Sequence, residues 1–341
     1  MKKILTFLLA AALSTAASAQ SDNTPYLTKS FSGASVQNVL ARTSGGSITI
    51  NGTAGGEARV EVYIKGQNNK ELTKGQIEQR LAEDYIFDVS AANGRLSATA
   101  SQKNKMFNWK NALSISYKIY VPKNVSTNLN TSGGSIVMAD LNGNLDFSTS
   151  GGSLKLDQLS GNINGNTSGG SISIANSKSQ IKLETSGGSI KAQNCSGNIS
   201  LNTSGGSLSL NDLTGAVEAN TSGGSVSANN INGELITHTS GGSMALQNIS
   251  GSLDASTSGG SITASLTKVG KYVTLDNSGG SINLTMPNQG LNLKLRANRI
   301  RINQLTNFNG SKDDDKVDGT VNGGGVPVKV STSGTITVSF G

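Results

Sequence analysis

Thr131-Ser132-Gly133-Gly134-Ser135 opens a pattern that returns at Thr149, Thr167, Thr185, Thr203, Thr221, Thr239 and Thr257, with a constant step of 18 residues. Self-similarity at a fixed period means one structural unit stacked on copies of itself. A step of 18 is too short for helix-pair repeats, which need ~33 residues. The unit is therefore made of strands. Its apolar letters alternate: Ile136, Met138 and Leu141, then Leu145 and Phe147, matched by Leu154, Leu156, Leu159 and Ile163 one unit on. Spacing by two puts these side chains on one face and the intervening Ser, Lys, Asn and Asp on the other.

Two glycine-bearing corners bound the strands. One is Ser-Gly-Gly-Ser, where glycine admits positive φ without a Cβ clash. The other is Asn142-Gly143-Asn144, echoed at Ser160-Gly161-Asn162, Ser196-Gly197-Asn198 and Asn232-Gly233-Glu234. One such coil cannot bury its apolar face, but coils stacked ~4.8 Å apart close their backbone hydrogen bonds on the neighbours above and below. The expected fold is all-β, a single-chain β-solenoid (β-helix) with 18-residue coils and one short helix in an N-terminal capping segment. The eight copies of the corner predict a rod on the order of 40 Å long before the flanking segments are added.

Outward from the repeats, the chain begins with Lys2-Lys3, an apolar run from Ile4 to Leu13, and Ala17-Ser18-Ala19. This is the pattern of a secretory signal peptide, and the run is too short for a bilayer span. The expected division is 1–19 signal peptide, 20–125 solenoid start and capping segment, 126–290 regular repeats, and 291–341 irregular coils and cap. The mature chain is then exported to the periplasm, cell surface or extracellular space, with no transmembrane segment.

The segment before the repeats carries an early copy of the corner, Thr43-Ser44-Gly45-Gly46-Ser47, and a strand with Val60, Val62 and Ile64 on one face. Thr73 with Gln76 forms a capping box for a helix that places Ile77 and Leu81 on one side and ends near Glu83. Strands follow at 85–89, 95–100 and 113–121, with Pro122 ending the last. Seven of the fourteen aromatics lie between Tyr63 and Tyr120, which fits a cap over the open end of a stack. After the regular units the step lengthens from 18 to 20 near Lys268–Lys271, an insertion expected in a loop. Val326, Val328 and Val330, then Thr332 to Val338, read as a degraded final coil, with Pro327 suited to an edge.

Composition suits an exported structural protein: 43 Gly, 4 Pro and 14% charged residues. The formal charge of +7, of which Lys2 and Lys3 supply two, is too mild to call for a nucleic-acid partner. Two basic clusters are candidate ligand-binding sites. Lys103, Lys105, Phe107, Trp109 and Lys110 combine aromatic rings with cations, a set able to stack on a sugar ring or meet an anionic surface. Lys294, Arg296, Arg299 and Arg301 line alternate positions of two strands and suit an anionic polymer, against the default of a solvated face.

Catalytic and metal chemistry find little purchase. His238 is the only histidine and occupies an outward slot, while Cys195 takes an inward slot held by Leu159 and Leu213 in sister units. The turns carry Ser where calcium-binding β-rolls carry Asp. Acidic residues are scattered, unlike the clustered sets of polysaccharide lyases, and the apolar spacing is not the every-sixth pattern of hexapeptide acyltransferases. The outward ranks Val137, Lys155, Ser173, Lys191, Ser209, Ser227 and Ala245 are too uneven for an ice lattice. No cofactor is implied.

The Tyr117-Lys118-Ile119-Tyr120-Val121-Pro122 strand, the recurring Thr-Ser-Gly-Gly-Ser-Ile, the Leu141-Asn142-Gly143-Asn144-Leu145 turn and the closing Gly334-Thr335-Ile336-Thr337-Val338 resemble the bacterial putative-adhesin family of β-strand-repeat proteins, a domain of unknown function. The resemblance covers nearly the whole mature chain and implies an exported β-solenoid; it carries over no catalytic or binding residue. The expected function is a non-enzymatic adhesin or cell-envelope scaffold presenting a Ser/Thr/Asn-rich repetitive surface to glycans or envelope proteins. The alternatives are a carbohydrate-binding module and a degenerate polysaccharide-active enzyme.

Overall fold

The structure, a computed structural model, describes residues 24–33, 35–55, 57–103 and 111–341. The signal-peptide reading of residues 1–19 falls outside them. Within them the chain is all-β with one α-helix. The first strands are β1 (Leu27–Phe31), β2 (Asn38–Thr43), β3 (Ile48–Thr53) and β4 (Ala58–Gly66). Helix α1 (Lys74–Asp84) leads into β5 (Tyr85–Ala92), β6 (Arg95–Gln102) and β7 (Leu113–Pro122). The capping box forms as its letters require: Thr73 Oγ1 accepts the Gln76 N–H at 3.3 Å and Gln76 Oε1 accepts the Thr73 N–H at 3.0 Å. Ile77 and Leu81 are the buried face of the helix.

The order of strands at this end departs from the order of the chain. The coil of β2 and β3 lies inside the stack, because β6 and β7 pair with it in parallel from the outer side (Val39↔Leu96, Ile48↔Tyr117). Antiparallel strands then cover the outer coil: β5 lies on β6, β4 on β7, and β1 on β4. β7 ends at Pro122, which is still paired with Thr53 as its last residue.

The repeats begin as alternating strands: β8 (Ser126–Thr131), β9 (Ile136–Ala139), β10 (Asn142–Thr149), β11 (Leu154–Asp157), β12 (Ser160–Thr167), β13 (Ile172–Ala175) and β14 (Lys178–Thr185). From there the two strands of a unit run together as one bent strand: β15 (Ile190–Thr203), β16 (Leu208–Thr221), β17 (Val226–Thr239), β18 (Met244–Thr257) and β19 (Ile262–Asn277). β8 and β9 stack in parallel on β2 and β3 (Val39↔Thr127, Ile48↔Ile136). Each later strand pairs in parallel with the residue 18 further on, as in Leu154↔Ile172, Ile190↔Leu208 and Leu208↔Val226. The apolar columns point inward and form one continuous buried core along the stack.

The corners turn by a different device from the one their glycines suggest. None of the Ser-Gly-Gly-Ser glycines has positive φ. The second glycine is required by proximity: a Cβ on Gly152 would stand 2.0 Å from the Gly134 carbonyl oxygen in the coil before, and one on Gly170 would stand 2.0 Å from that of Gly152. Threonine completes the corner. Thr149 Oγ1 donates to the Gly134 carbonyl at 2.7 Å and accepts the Gly152 N–H at 3.2 Å, and the same pair of bonds recurs at Thr167, Thr185 and Thr203. Left-handed backbone sits elsewhere, at Asp140, Gln158, Asn176, Asn194, Asp212, Asn230 and Asn248 with φ of 51° to 59°, and at Gly143 and its equivalents. Asn and Asp tolerate that region best among residues with a Cβ.

The two-residue insertion is absorbed by the strand, not by a loop. Between β18 and β19 the pairing slips three times, and its step grows from 18 at Gly251↔Val269 to 20 at Leu253↔Val273. Bulges take up extra residues while the ladder continues on either side.

The last strands are β20 (Ile282–Met286), β21 (Leu291–Arg296), β22 (Arg299–Asn303), β23 (Phe308–Lys312), β24 (Lys316–Val321), β25 (Val326–Thr332) and β26 (Thr335–Phe340). The coil expected to end the stack lies one layer inside it. β25 pairs in parallel with β19 and with β21, and β26 in parallel with β20 and with β22. β24 and β23 extend the outer coil antiparallel. Pro327 is thus on an internal strand. It is tolerated because pairing with β19 starts one residue later, at Val328, while the Val326 N–H is spent on the Gly290 carbonyl at 3.1 Å.

Candidate functional site

Because the register advances by one period per coil, every outward slot becomes a column. The column that starts at Asn130 continues through Ser148, Asn166, Glu184, Asn202, Asn220, His238 and Ser256. From Asn166 onward it forms one wall of a groove of about 660 Å³ that runs across six coils. Six serines from the corners, Ser168 to Ser258, form the facing wall, and the buried threonines form the floor. The groove continues past Ser256 and Ser258 into a second hollow of about 400 Å³ bounded by Asp276 and Ser331.

The column is internally hydrogen-bonded. Ser148 Oγ donates to Asn130 Oδ1 at 2.6 Å, and Asn220 Nδ2 donates to Asn202 Oδ1 at 3.3 Å. His238 donates its backbone N–H to Asn220 Oδ1 at 3.2 Å, and its Nδ1 lies 2.6 Å from Ser256 Oγ. From Asn202 to Ser256 the wall is thereby tied together along the stack axis. Glu184 and Asp276 are its carboxylates in the two hollows.

A separate hollow of about 470 Å³ lies on a neighbouring face, between Asn162, Gln180, Asn198 and Glu234 over a floor of Ile181, Ile199 and Val217. At its upper end Tyr272, within the inserted residues, donates its hydroxyl to Glu234 Oε1 at 2.8 Å. Burial, then this bond to a carboxylate, push the Tyr272 phenol up to about 12.

The basic sites read from the sequence are not brought together. Lys103 is exposed at the N-terminal end, its backbone N–H bonded to the Asp84 carbonyl at 2.9 Å and its Nζ to that of Ala82. Lys105, Phe107, Trp109 and Lys110 lie outside the described residues. Lys294, Arg296, Arg299 and Arg301 are exposed at the opposite end of the stack, on β21 and β22. There Lys294 lies between Asp318 and Lys329, and Arg296 beside Lys316, so strands far along the chain enlarge the patch. β22 has β26 as its strand partner and leaves its other side open, and charge on such an edge discourages further pairing.

Sequence reasoning also missed an aromatic-cationic face on β4 and β7. The Arg59 guanidinium lies 4.4 Å from the Tyr120 ring centroid, and Lys118 Nζ lies 4.7 Å from that of Tyr63. The signal was present in the alternation of Arg59, Glu61 and Tyr63 against Val60, Val62 and Ile64. Cys195 occupies its inward slot opposite Leu213, and burial raises its thiol pKa. Among the described residues no three His, Cys, Asp or Glu side chains converge as a metal set, and no helix is long and apolar enough to cross a membrane.

Comparison with known proteins gives a family match and distant likenesses. No curated protein matches the chain. Its fold is similar to a putative adhesin from Bacteroides fragilis NCTC 9343, at 15% identity and a TM-score of 0.38 over 76% of this chain and 96% of that one. It is also similar to a putative lipid binding protein from Parabacteroides distasonis ATCC 8503 (13% identity, TM-score 0.30, 93% and 97% covered). A third likeness is to a putative cell adhesion protein from Clostridium sporogenes ATCC 15579 (10%, 0.17, 92% and 99%). The model of the Toastrack DUF4097 family matches residues 181–339. Over those residues, a little under half of its length, the chain is similar to the Toastrack DUF4097 family, in keeping with its resemblance to the bacterial putative-adhesin family.

Proposed function

We propose that the chain is an exported, non-enzymatic β-solenoid of 18-residue coils that acts as an adhesin or envelope scaffold, with residues 1–19 as its signal peptide. The contact face is the groove whose walls are the Asn166–Ser256 column and the corner serines. The observation that carries this reading is the fixed register, which turns one polar side chain per coil into a continuous polar wall. A wall of this kind offers donors and acceptors at ~4.8 Å intervals. It suits an extended, neutral, hydroxyl-rich polymer such as a surface glycan, held by hydrogen bonds to amides and hydroxyls, since no cluster of cations lines it. The capping segment and the irregular C-terminal coils end the regular stack on its two sides.

The test is binding of the mature chain to immobilised polysaccharides, compared with a variant carrying Asn202→Ala, Asn220→Ala and His238→Ala. These are outward positions, so the interior columns and the ladder are untouched. Binding that falls at least tenfold in the folded variant supports the groove. Undiminished binding in the variant removes the groove as the contact face, and turnover of a polysaccharide by the parent chain removes the non-enzymatic reading.

A further inference from the structure

The coil of β25 and β26, residues 326–340, closes the stack from within, and its place has an unusual property. Columns can be followed through it: Val273 pairs with Val328, which pairs with Leu293, and Leu275 pairs with Val330, which pairs with Leu295. On the other face Ile282 pairs with Ile336, which pairs with Ile300, and Leu284 pairs with Val338, which pairs with Ile302. Above and below the inserted coil the columns are therefore apolar and in line. The coil is a removable layer in the sense that its two neighbours match it and each other.

The chain reaches this layer late. Residues 291–321 precede it in sequence, yet their coil takes its final place only on top of it. Until residues 326–340 dock, the outer edge of β19 and β20 stays unpaired, a parallel template for whichever matching strands arrive first. The connection that delivers the coil is Asn322-Gly323-Gly324-Gly325, with Asn322, Gly323 and Gly324 at φ of 49°, 82° and 86°. It is closed as a turn by the Gly324 N–H on the Val321 carbonyl at 3.1 Å. A hinge of three glycines beside a self-contained two-strand element is the arrangement that exchanges between copies, because the swapped form keeps every contact of the closed one.

We infer that the slot between β19–β20 and β21–β22 accepts residues 326–340 from a second copy of this chain, joining two molecules by reciprocal exchange of that coil. The partner is specified by the slot itself: its native occupant is this sequence, in parallel register on both sides. The Asn166–Ser258 stretch of the groove, where the binding test acts, lies on other coils, so loss of glycan binding and loss of exchange are separate results. An adhesin whose copies exchange an end coil would hold its own kind, across a surface or between cells.

Lys294 and Lys329 are register neighbours on β21 and β25, both exposed. Parallel neighbours sit within disulfide range. Two full-length chains are made with different tags, one Lys294→Cys and the other Lys329→Cys, mixed, unfolded in denaturant and refolded together before oxidation. A disulfide between position 294 of one tagged chain and position 329 of the other, above the yield of random collision, marks the coil of one copy in the slot of the other. Lys155→Cys, exposed on the distant β11, replaces Lys329→Cys as the collision control.

The hinge gives a second handle. Gly323→Ala meets no atom within 4 Å but places a Cβ at φ of 82°, which strains the closed turn by an amount worth about fivefold in population and leaves an open hinge unstrained. The expected result is mixed-tag disulfide well above control, a dimer by light scattering, and about fivefold more of it in the Gly323→Ala background. Mixed-tag yield at the control level in both backgrounds overturns the inference.

Discussion

At the corner, one letter serves two unlike ends. Gly151 and Gly152 are adjacent and identical, yet the nearest atom to a Cβ on the first is 3.6 Å away, while on the second the Gly134 carbonyl oxygen stands at 2.0 Å. Gly151→Ala is therefore expected to change stability by less than about 0.5 kcal/mol, since neither space nor φ opposes it. Gly152→Ala forces the two coils apart at the ladder, at a cost of about 2–4 kcal/mol. Chemical denaturation of the two variants side by side checks the contrast, and equal effects would mean that the corner needs glycine for its φ after all. Ser179 offers the reverse case. It stands at φ of 88° in a column whose neighbours are Gly161 at 100° and Gly197 at 114°. Ser179→Gly should stabilise by about 0.5–1 kcal/mol, the relief of a left-handed Cβ exceeding the entropy glycine adds to the unfolded chain. A lower melting temperature would show the serine to be unstrained.

The phenol of Tyr272 supplies a pH test. Its folded value of about 12 lies above the ordinary 10.0, so the folded state holds the proton more tightly than the unfolded one. The stability this contributes is fully present below pH 10 and is lost as pH rises through 12. Absorbance titration of phenolate should reveal a hydroxyl ionising near pH 12 that is absent in Tyr272→Phe. The variant should also lose stability less steeply over the same range. A titration unchanged by the substitution would remove the Glu234 hydrogen bond as its cause.

At the scale of the element, a column is a set of side chains that must sum to a constant filling. The inward column through Phe147 reads Leu129, Phe147, Gly165, Leu183 and Leu201. The one large ring is followed by the one residue with no side chain, and a Cβ on Gly165 would lie 2.1 Å from the Phe147 ring. Gly165→Ala alone is expected to cost about 1–3 kcal/mol by overpacking, and Phe147→Leu alone about 1–2 kcal/mol through the space left. The double variant restores the composition of the sister coils and should cost less than the sum, with a coupling of about 1 kcal/mol or more. Strict additivity in a double-mutant cycle would show the two sites to be independent.

The same column shows what could be read beforehand. The alternation within each period named nearly every buried residue, because a half-buried strand cannot hide its spacing. It could not say that Gly165 makes room for Phe147, since a glycine in a strand reads only as a weakness. The bend at Asp140, Gln158 and Asn176 was legible in principle from Asn and Asp recurring in one column, but Gln158 broke the pattern. The polar groove was half legible: its wall was visible as an outward slot around His238, whereas its depth depends on the angle between faces, which no spacing encodes. The order of coils at the two ends was not legible at all. Residues 291–303 and 326–340 present equally apolar alternations, so the pattern gives no reason to place one inside the other.

For the whole molecule, the pairing scheme makes stability a sum over neighbouring coils, with the two interleaved ends acting as stops. Removing one full period from the middle should then leave a shorter molecule of the same kind. Deletion of residues 204–221 joins Thr203 to Ser222 and keeps the Thr-Ser-Gly-Gly-Ser corner intact. The coil that ends at Thr203 would then face the one that begins at Val226: Ile190 meets Val226, Ala192 meets Ala228, and Cys195 meets Ile231. Apolar columns stay apolar, and every backbone bond finds an equivalent partner. The expected product unfolds cooperatively, with a maximum dimension by small-angle scattering shorter by ~5 Å, one rung of the ladder. Deleting only residues 213–221 removes half a period. Val226 and Ala228 then fall in the columns of Val217 and Ala219, but Ser222 takes the inward place of Leu213 and Asn230 that of Thr221. The Ser-Gly-Gly-Ser corner lands where the bend after Asp212 belongs, so the chain should be left unfolded or aggregated. Equal tolerance of the two deletions would mean that the coils do not depend on the registers that align their columns.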